Sequence, residues 1–218
     1  MITLSVDGAV GAGTIAVFEG DTCRAEREVP MGARSGDPFF PAVLDALREA
    51  GTRASLVTRV IVGAGPGRFT SVRIVAAIAK GVAEGAGAAL VAVPSLALAA
   101  AAADSLAPGR YLAVADALRG EWFAQGCERH ADGRVTVDGP ARRVAAEVAA
   151  AAALAQGARL LGARPDDGGR PHARGALRLV AGGCGVAVDV ATWEPAYGRM
   201  AEAQVQWEAV HGRPLPAA

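Results

Sequence analysis

The feature that most constrains the fold of this chain is a repeated pattern of strand, aspartate, glycine turn and second strand. The two aspartates are Asp7 and Asp116, and about half of the 218 residues lies between them. Because the residue types around each aspartate match, the repeat predicts two lobes of related topology. The Pro108-Gly109 turn marks the boundary, so the predicted lobes are residues 1–106 and 107–218. The repeated strands are residues 2–7 and 14–18 in the first copy and 112–116 and 122–124 in the second.

Strands and helices alternate through the rest of the first lobe. Hydrophobic spacing predicts a weak third strand, then helix, strand, helix, strand and an alanine-rich helix capped by Ser95. The first helix is expected behind Asp37-Pro38, because aspartate favours the N-cap and proline suits the first helical turn. The strands are residues 23–29, 60–62 and 89–93, and the helices are residues 38–51, 70–84 and 95–104.

The second half of the chain is less regular. Residues 143–156 are predicted to form a helix, and residues 163–175 read as a loop rich in proline, glycine and aspartate. Few residues remain for further elements, so the second lobe must be reduced. The expected fold class is a duplicated α/β fold, which resembles the plan of the actin-like and sugar-kinase superfamily (RNase H-like, ASKHA) with a small second lobe.

The charge of the chain is balanced, with 22 basic and 22 acidic residues and an isoelectric point near 6.8. A protein that binds nucleic acid through phosphate contacts usually has an excess of basic residues, so any role of this chain that involves RNA is expected to be indirect. Three scattered cysteines indicate reduced thiols. The N-terminal run lacks the layout of a signal peptide, and no stretch resembles a membrane span. We therefore expect a cytoplasmic protein that contacts no membrane.

A glycine loop at residues 63–67 joins a buried strand to a helix. Such a loop can offer backbone N–H groups to an anion, which makes Gly65 and Gly67 candidate nucleotide or anion contacts. It lacks the Gly-Lys-Ser/Thr of a P-loop and the Rossmann spacing, so it also fits a plain strand-to-helix turn. Asp7 and Asp116 could hold a hydrated magnesium between the lobes, or they could cap hairpin turns. The turn-capping interpretation is the one we favour.

No constellation of catalytic residues is visible in the sequence. The histidines His130, His172 and His211 are scattered, and none is spaced for a shared metal. Cys127 lies three residues from His130, a lone pair that is usually incidental. No serine occurs in a nucleophile elbow. The sequence therefore predicts neither catalytic residues nor a metal site.

Residues 65–74 carry the run Gly-Pro-Gly-Arg-Phe-Thr-Ser-Val-Arg-Ile, which resembles the signature of the TsaB family, also called YeaZ. The resemblance is strong through residues 1–125, is weak from 140 to 190, and returns where residues 194–199 are similar to the family's C-terminal Pro-x-Tyr-x-Arg. Three positions depart from the family pattern, and they argue against a nucleotide contact by this chain. They are Arg68 for the usual serine, Ser71 for the usual glycine and Gly8 for the usual threonine.

The resemblance implies a partner protein. TsaB-type proteins assist a larger paralogue, TsaD, which holds the metal and transfers a threonylcarbamoyl group to adenosine 37 of tRNAs that read codons beginning with A. A TsaE-type ATPase joins the two, and a TsaB-type protein alone forms homodimers through much the same surface. The resemblance thus implies a non-catalytic subunit without a cofactor of its own, with ATP or ADP at the interface of the complex and tRNA contacted only indirectly.

The first two predicted helices carry more apolar residues than one sheet contact requires, which favours a partner interface. On the helix after the glycine loop, only Arg73, Lys80 and Glu84 form a polar stripe. The alternative is that neighbouring helices of the same lobe bury these residues. The predicted interface residues are Phe39, Phe40, Val43, Leu44, Leu47, Phe69, Val72, Arg73, Val75, Ala76, Ile78, Ala79 and Val82.

Two other functions remain open from the sequence. One is a small ATP-dependent kinase or acyl transferase of the same superfamily that acts alone through Asp7 and Asp116. The other is a peptidase, which would need a metal site or a nucleophile that the sequence does not show.

Overall fold

The computed structural model describes residues 1–31, 38–162, 169–198, 207 and 210–212. The first half contains β1 (Ile2–Asp7), β2 (Ala12–Glu19), β3 (Thr22–Pro30), α1 (Phe39–Glu49), β4 (Arg59–Gly63), α2 (Phe69–Ala86), β5 (Ala89–Val93) and α3 (Leu98–Ala102). The second half contains β6 (Gly109–Asp116), β7 (Glu121–Arg129), β8 (Val135–Val137), β9 (Arg142–Ala145), α4 (Ala146–Ala155), β10 (Arg159–Leu161), α5 (Ala176–Ala181) and β11 (Val186–Val188). Short 3₁₀ helices lie at Ala54–Leu56 and Ala173–Gly175.

Strand pairing shows the duplication that the two aspartates predict. Strand β1 pairs antiparallel with β2 and parallel with β4, and β6 likewise pairs antiparallel with β7 and parallel with β10. The first sheet has the order β11-β5-β4-β1-β2-β3, and the second has the order β10-β6-β7-β8 with β9 also on β7. Strands β8 and β10 have three residues each, so the second lobe is reduced. The predicted fold class is confirmed.

Strand β11 belongs to the first sheet although it lies in the second half of the sequence. It pairs antiparallel with β5 at the edge of that sheet. The N–H of Ala173, also in the second half, donates to Thr14 Oγ1 on β2 at 3.0 Å. The predicted boundary at 106/107 divides the chain by its order in sequence. In the structure, residues of the C-terminal half pack in both lobes.

The first sheet is buried on both faces. Leu4 and Val6 of β1 face α1 and α2, together with Ile15 of β2. The alternate β1 residues Ser5 and Asp7 point to the opposite face and are buried as well. Burial on both faces explains why the central strand tolerates only small polar side chains between its apolar ones. Within the described ranges, no helix has the length and apolar character needed to cross a membrane.

Three arginines cap the carboxyl end of the buried helix α3. Arg129 donates to the Ala100 carbonyl at 2.8 Å, and Arg174 and Arg178 donate to the Ala102 and Ala101 carbonyls at 3.0 and 2.8 Å. The last carbonyls of a helix have no partner within the helix, and the negative end of its dipole attracts cations. Arginines from β7, the second 3₁₀ helix and α5 thus let an alanine helix end in the interior.

Two predicted elements were wrong in detail. The predicted helix at 143–156 begins as strand β9, because residues 142–145 pair with β7, and α4 starts only at Ala146. Ser95 does not cap a helix, since α3 begins at Leu98 and the Ser95 side chain bonds elsewhere. The predicted N-cap Asp37 and residues 163–168 of the predicted loop lie outside the described residues.

Candidate functional site

The Asp7 carboxylate lies at the end of β1 in a buried hydrogen-bond network. Ser95 Oγ donates to Asp7 Oδ1 at 2.5 Å, and the N–H of Gly65 donates to Ser95 Oγ at 2.9 Å. The N–H of Ala9 donates to Asp7 Oδ2 at 3.2 Å. One carboxylate therefore ties together the end of β1, the glycine loop and the turn after β5. Sequence reasoning missed the role of Ser95, although its position directly after a predicted parallel strand and Pro94 was a usable signal.

The Asp7 carboxylate is closed off from solvent. The side chain is 1% exposed, and burial raises its pKa to about 6, opposed by the Ser95 hydrogen bond and the N–H groups of Ala9 and Gly8. A hydrated magnesium needs carboxylate oxygens that face solvent. This geometry does not support the predicted nucleotide or anion contact at Asp7.

Asp116, the counterpart of Asp7, lies at the end of β6 and is exposed. Its Oδ1 accepts a hydrogen bond from the N–H of Leu118 at 2.7 Å, in a turn where Leu118 and Arg119 have φ of 68° and 58°. Each aspartate thus accepts from the N–H two residues further on, as Asp turns do. These hydrogen bonds match the interpretation that the repeated aspartates close hairpin turns.

Close packing against other parts of the chain accounts for the glycines of this loop, without a bound ligand. A Cβ at Gly67 would overlap the backbone of Ala9, and one at Gly65, which has φ of 83°, would overlap the Ala196 carbonyl. The N–H of Ala64 donates to Val93 O at 2.8 Å, and the Gly65 N–H is used by Ser95. The loop amides at Ala64 and Gly65 are therefore already bonded within the protein, which weakens the predicted anion contact at Gly65. The predicted contact at Gly67 stays a prediction.

The histidines and cysteines take part in local structure. His172 Nδ1 accepts from the N–H of Arg174 at 3.1 Å, and His130 lies 3.0 Å from Thr136 Oγ1. Burial raises the pKa of the Cys127 thiol to about 12, so it carries almost no thiolate at neutral pH. Across the described residues, no three His, Cys, Asp or Glu side chains gather in a way that could hold a metal ion.

Most of the predicted interface residues are buried inside their own lobe. Helices α1 and α2 both pack on the first sheet, and α2 also packs on the 3₁₀ helix at Ala54–Leu56. These contacts cover a wider face of α2 than the sequence pattern indicated. Apart from Val82, which also lines an apolar groove on the surface, the buried residues face the core of their own lobe. The buried ones are Phe39, Val43, Leu47, Val72, Val75, Ala76, Ala79 and Val82, whereas Leu44, Phe69 and Ile78 are half-buried and Phe40 and Arg73 are exposed.

The accessible part of these helices forms an apolar groove of about 590 Å³, which we term the α1–α2 groove. Phe40, 47% exposed, stands on one side, and Ile78 lies on the other. Ala77, Gly81 and Gly85 recur every four residues and so form one line of small residues on α2. The interface predicted from the sequence omitted Ala77, Gly81 and Gly85, although this spacing was visible. The complete lining is Phe40, Ala54, Ser55, Ala77, Ile78, Gly81, Val82, Gly85 and Ala86.

The C-terminal motif returns to the glycine loop. The N–H of Ala196 donates to Ala64 O at 2.8 Å, and the ring of Tyr197 lies 4.6 Å from that of Phe69, centroid to centroid. The two segments that carry the family resemblance are thus in contact, although they are far apart in sequence. Arg199, the last residue of the motif, lies outside the described residues.

Comparison with known proteins agrees with these features. The sequence model of a protein family described as "TsaD: tRNA N6-adenosine threonylcarbamoyltransferase" matches residues 37–169. The Escherichia coli (strain K12) protein "tRNA threonylcarbamoyladenosine biosynthesis protein TsaB" is 32% identical over 134 residues, which is 61% of this chain and 58% of that protein. The match therefore spans less than two thirds of that relative.

Solved structures share the fold. A Pseudomonas aeruginosa protein described as uncharacterized with similarity to peptidase YEAZ superposes with a TM-score of 0.73 at 24% identity, over 91% of this chain and 99% of the other. YeaZ from Pseudomonas aeruginosa superposes with a TM-score of 0.69 at 24% identity, over 90% and 99% of the two chains.

The fold and its site define a duplicated α/β protein with a sealed aspartate at the lobe junction and an accessible apolar helix groove. The architecture is that of the YeaZ structures. The chain belongs to the family of the matching threonylcarbamoyltransferase model. Within that family it is similar to the TsaB protein of Escherichia coli, the type that the sequence resemblance indicated.

Proposed function

We propose that this chain is a non-catalytic subunit that binds a TsaD-type transferase and supports threonylcarbamoyladenosine formation at adenosine 37 of tRNAs that read codons beginning with A. Family membership and the name of the Escherichia coli relative, which places that protein in tRNA threonylcarbamoyladenosine biosynthesis, support the reaction. The α1–α2 groove is the single observation that carries the role of a binding subunit.

The groove suits a helix of a partner protein. Ala77, Gly81 and Gly85 present almost no side chain, so a second helix axis can approach α2 at the short end of the usual range, about 8–10 Å. Phe40 and Ile78 flank this line with apolar surface that water now covers in part. Burying such surface gains about 25 cal/mol per Å², and aromatic residues at a groove wall are common anchors of interfaces.

The chemistry of the chain supports a role without catalysis. Asp7 is sealed beneath Ser95, and the Asp116 carboxylate accepts a turn hydrogen bond. The Cys127 thiol is buried and protonated. None of these groups has the exposure and partners of a nucleophile or general base. In this proposal the transfer reaction takes place on the TsaD-type partner.

The remaining parts of the proposal concern other molecules. A TsaE-type ATPase joins the complex, and ATP or ADP binds where the subunits meet. The isolated chain forms a homodimer through the same groove. tRNA is contacted only indirectly, which agrees with the balanced charge of 22 basic and 22 acidic residues. The complex works in the cytoplasm.

The test is co-purification of this chain with the TsaD-type protein of the same genome, using the variant Ala77→Arg. Ala77 is exposed on α2, so arginine leaves the fold intact while placing a charge in the groove. A charged residue at the buried Val75 would damage the core itself. We expect Ala77→Arg to weaken partner binding at least about tenfold and to abolish tRNA modification by the mixed subunits.

The matched control is Ala151→Arg, at an exposed position of α4 on the second sheet. It should bind the partner and support modification like the unmodified chain. Full binding by Ala77→Arg would refute the groove as the docking site. ATP turnover by the isolated chain, lost in Asp7→Ala, would favour the small ATP-dependent kinase or acyl transferase instead.

A further inference from the structure

Residues 193–198, which we term the strap, cross from the edge of the first sheet to the junction of the two lobes. The N–H of Ala196 donates to Ala64 O at 2.8 Å. Gly198 lies so close to both lobes that a Cβ there would be 2.6 Å from Pro66 and 2.6 Å from the ring of Phe123. The strap therefore joins the glycine loop of the first lobe to β7 of the second.

The strap has two anchors on α2. Lys80 Nζ donates to the Trp193 carbonyl at 2.9 Å and lies 3.9 Å from the Glu194 carboxylate. At the start of the helix, Tyr197 packs on Phe69. Lys80 and Phe69 are about 16 Å apart along the helix, at about 1.5 Å per residue. The strap thus fixes α2 at two separated points.

Lys80 is the only lysine among 22 basic residues. Its side chain is 24% exposed, and its ammonium reaches a backbone carbonyl and a carboxylate together. A lysine head is a compact point charge on a flexible stem, whereas arginine is a planar fork that needs more room. Every other basic position among the Lys and Arg residues of this chain is arginine. The compact lysine ammonium suits the contact with Trp193 and Glu194 better than a guanidinium would.

The Lys80 anchor borders the surface that a partner would use. Lys80 is next to Gly81 in sequence and one helical turn from Ala77, and both of these line the α1–α2 groove. Trp193 packs against the first core cluster, which also contains Val75 and Ala79 of α2. A shift of the strap would therefore move the helix that forms one wall of the groove.

We propose that the strap sets the position of α2 for partner binding, with Lys80 as the positioning residue that holds it. This inference rests on the proposed function and adds to it a part of the chain far from the groove in sequence. Binding of the TsaD-type partner then depends on residues 193–198 even where the partner does not touch them.

The test is a double-mutant cycle on the affinity for the TsaD-type protein, measured by titration calorimetry on the full chain. Lys80→Met removes the ammonium while keeping the length of the stem, and Tyr197→Ala removes the second anchor. We expect each variant to weaken partner binding about tenfold, because each removes one of the two anchors that hold the strap on α2. If both act through the strap, the double variant should bind no more than slightly weaker than either single variant.

Phe40→Ala is the control, because Phe40 lies on the groove wall formed by α1. Its effect should multiply with that of Lys80→Met. Hydrogen exchange of the Ala196 amide in the isolated chain reports strap release directly, and it should be faster in both strap variants. If Lys80→Met fails to fold, the Ala196 amide exchange and the partner affinity of Tyr197→Ala alone test the role of the strap.

The outcomes separate the two proposals. Faster exchange of Ala196 with unchanged partner affinity would overturn the role of the strap and leave the docking groove standing. Effects of Lys80→Met and Tyr197→Ala that multiply would also overturn it, because the two residues would then act independently. An unmodified chain that does not bind the TsaD-type protein would sink the proposed function, and the role of the strap with it.

Discussion

Replacing Asp7 with asparagine tests whether the sealed carboxylate costs the protein stability at neutral pH. Burial raises the folded-state pKa of Asp7 from the ordinary 3.8 to about 6. Between these two values the folded chain holds a proton that the unfolded chain has released, so stability falls as pH rises. The contribution of Asp7 is fully present below about pH 4 and is lost as pH passes about 6.

The size of the effect follows from the shift in pKa. A difference of roughly 2 units, at about 1.36 kcal/mol each, amounts to about 3 kcal/mol across this pH range. The asparagine variant would carry no titrating proton, but it has one acceptor oxygen where Asp7 has two, so either the Ala9 N–H or the Ser95 hydroxyl would lose its acceptor. Losing that acceptor costs about 1–3 kcal/mol at every pH. We expect Asp7→Asn to be less stable than the original chain at about pH 4.5 and of similar or greater stability at about pH 7.5.

The assay is urea denaturation of both chains at several pH values from about 4.5 to 7.5, at one ionic strength. Other titrating groups cancel when the two free energies of unfolding are subtracted at each pH. Because about a third of the effect is already lost at about pH 4.5, the difference should change by about 2 kcal/mol over this range, and the change should be complete above about pH 6. A difference that stays constant across this range would show that the Asp7 carboxylate is not desolvated, and the account of the sealed site would fail.

Three further substitutions test the packing and the arginine cap of α3. Gly63→Ala would place a Cβ that overlaps the Asp7 carboxylate, so we expect it to lower the free energy of unfolding by about 3 kcal/mol or more. Gly85→Ala has open space around it and should raise the free energy of unfolding by up to about 1 kcal/mol. Thermal unfolding of the two variants checks both signs. Arg129→Met would leave the Ala100 carbonyl without its donor and should cost about 1–3 kcal/mol in urea denaturation, and an unchanged midpoint would contradict the capping role of the arginine.

Local patterns predicted the elements that depend on local chemistry. Alternating residues predicted β1 and β2, and helical spacing placed α2 within two residues of its observed ends at Phe69 and Ala86. The same approach failed at residues 142–145, where pairing with β7 outweighs the helical propensity of the neighbouring alanines. Strand β11 was missed as well, because a three-residue edge strand owes its conformation to its partner β5.

The sequence by itself determined the duplication, the α/β class and the family, because these depend on the order of residue types along the chain. Only the tertiary structure decided which apolar residues of α1 and α2 remain accessible, since burial depends on what the sheet and the 3₁₀ helix cover. It also decided the fate of Asp7, which the sequence left open between a metal ligand and a turn cap. The hydroxyl that bonds to Asp7 comes from Ser95, 88 residues away. The sequence places Ser95 just after a predicted parallel strand, but only the packed sheet brings the two side chains into hydrogen-bond distance.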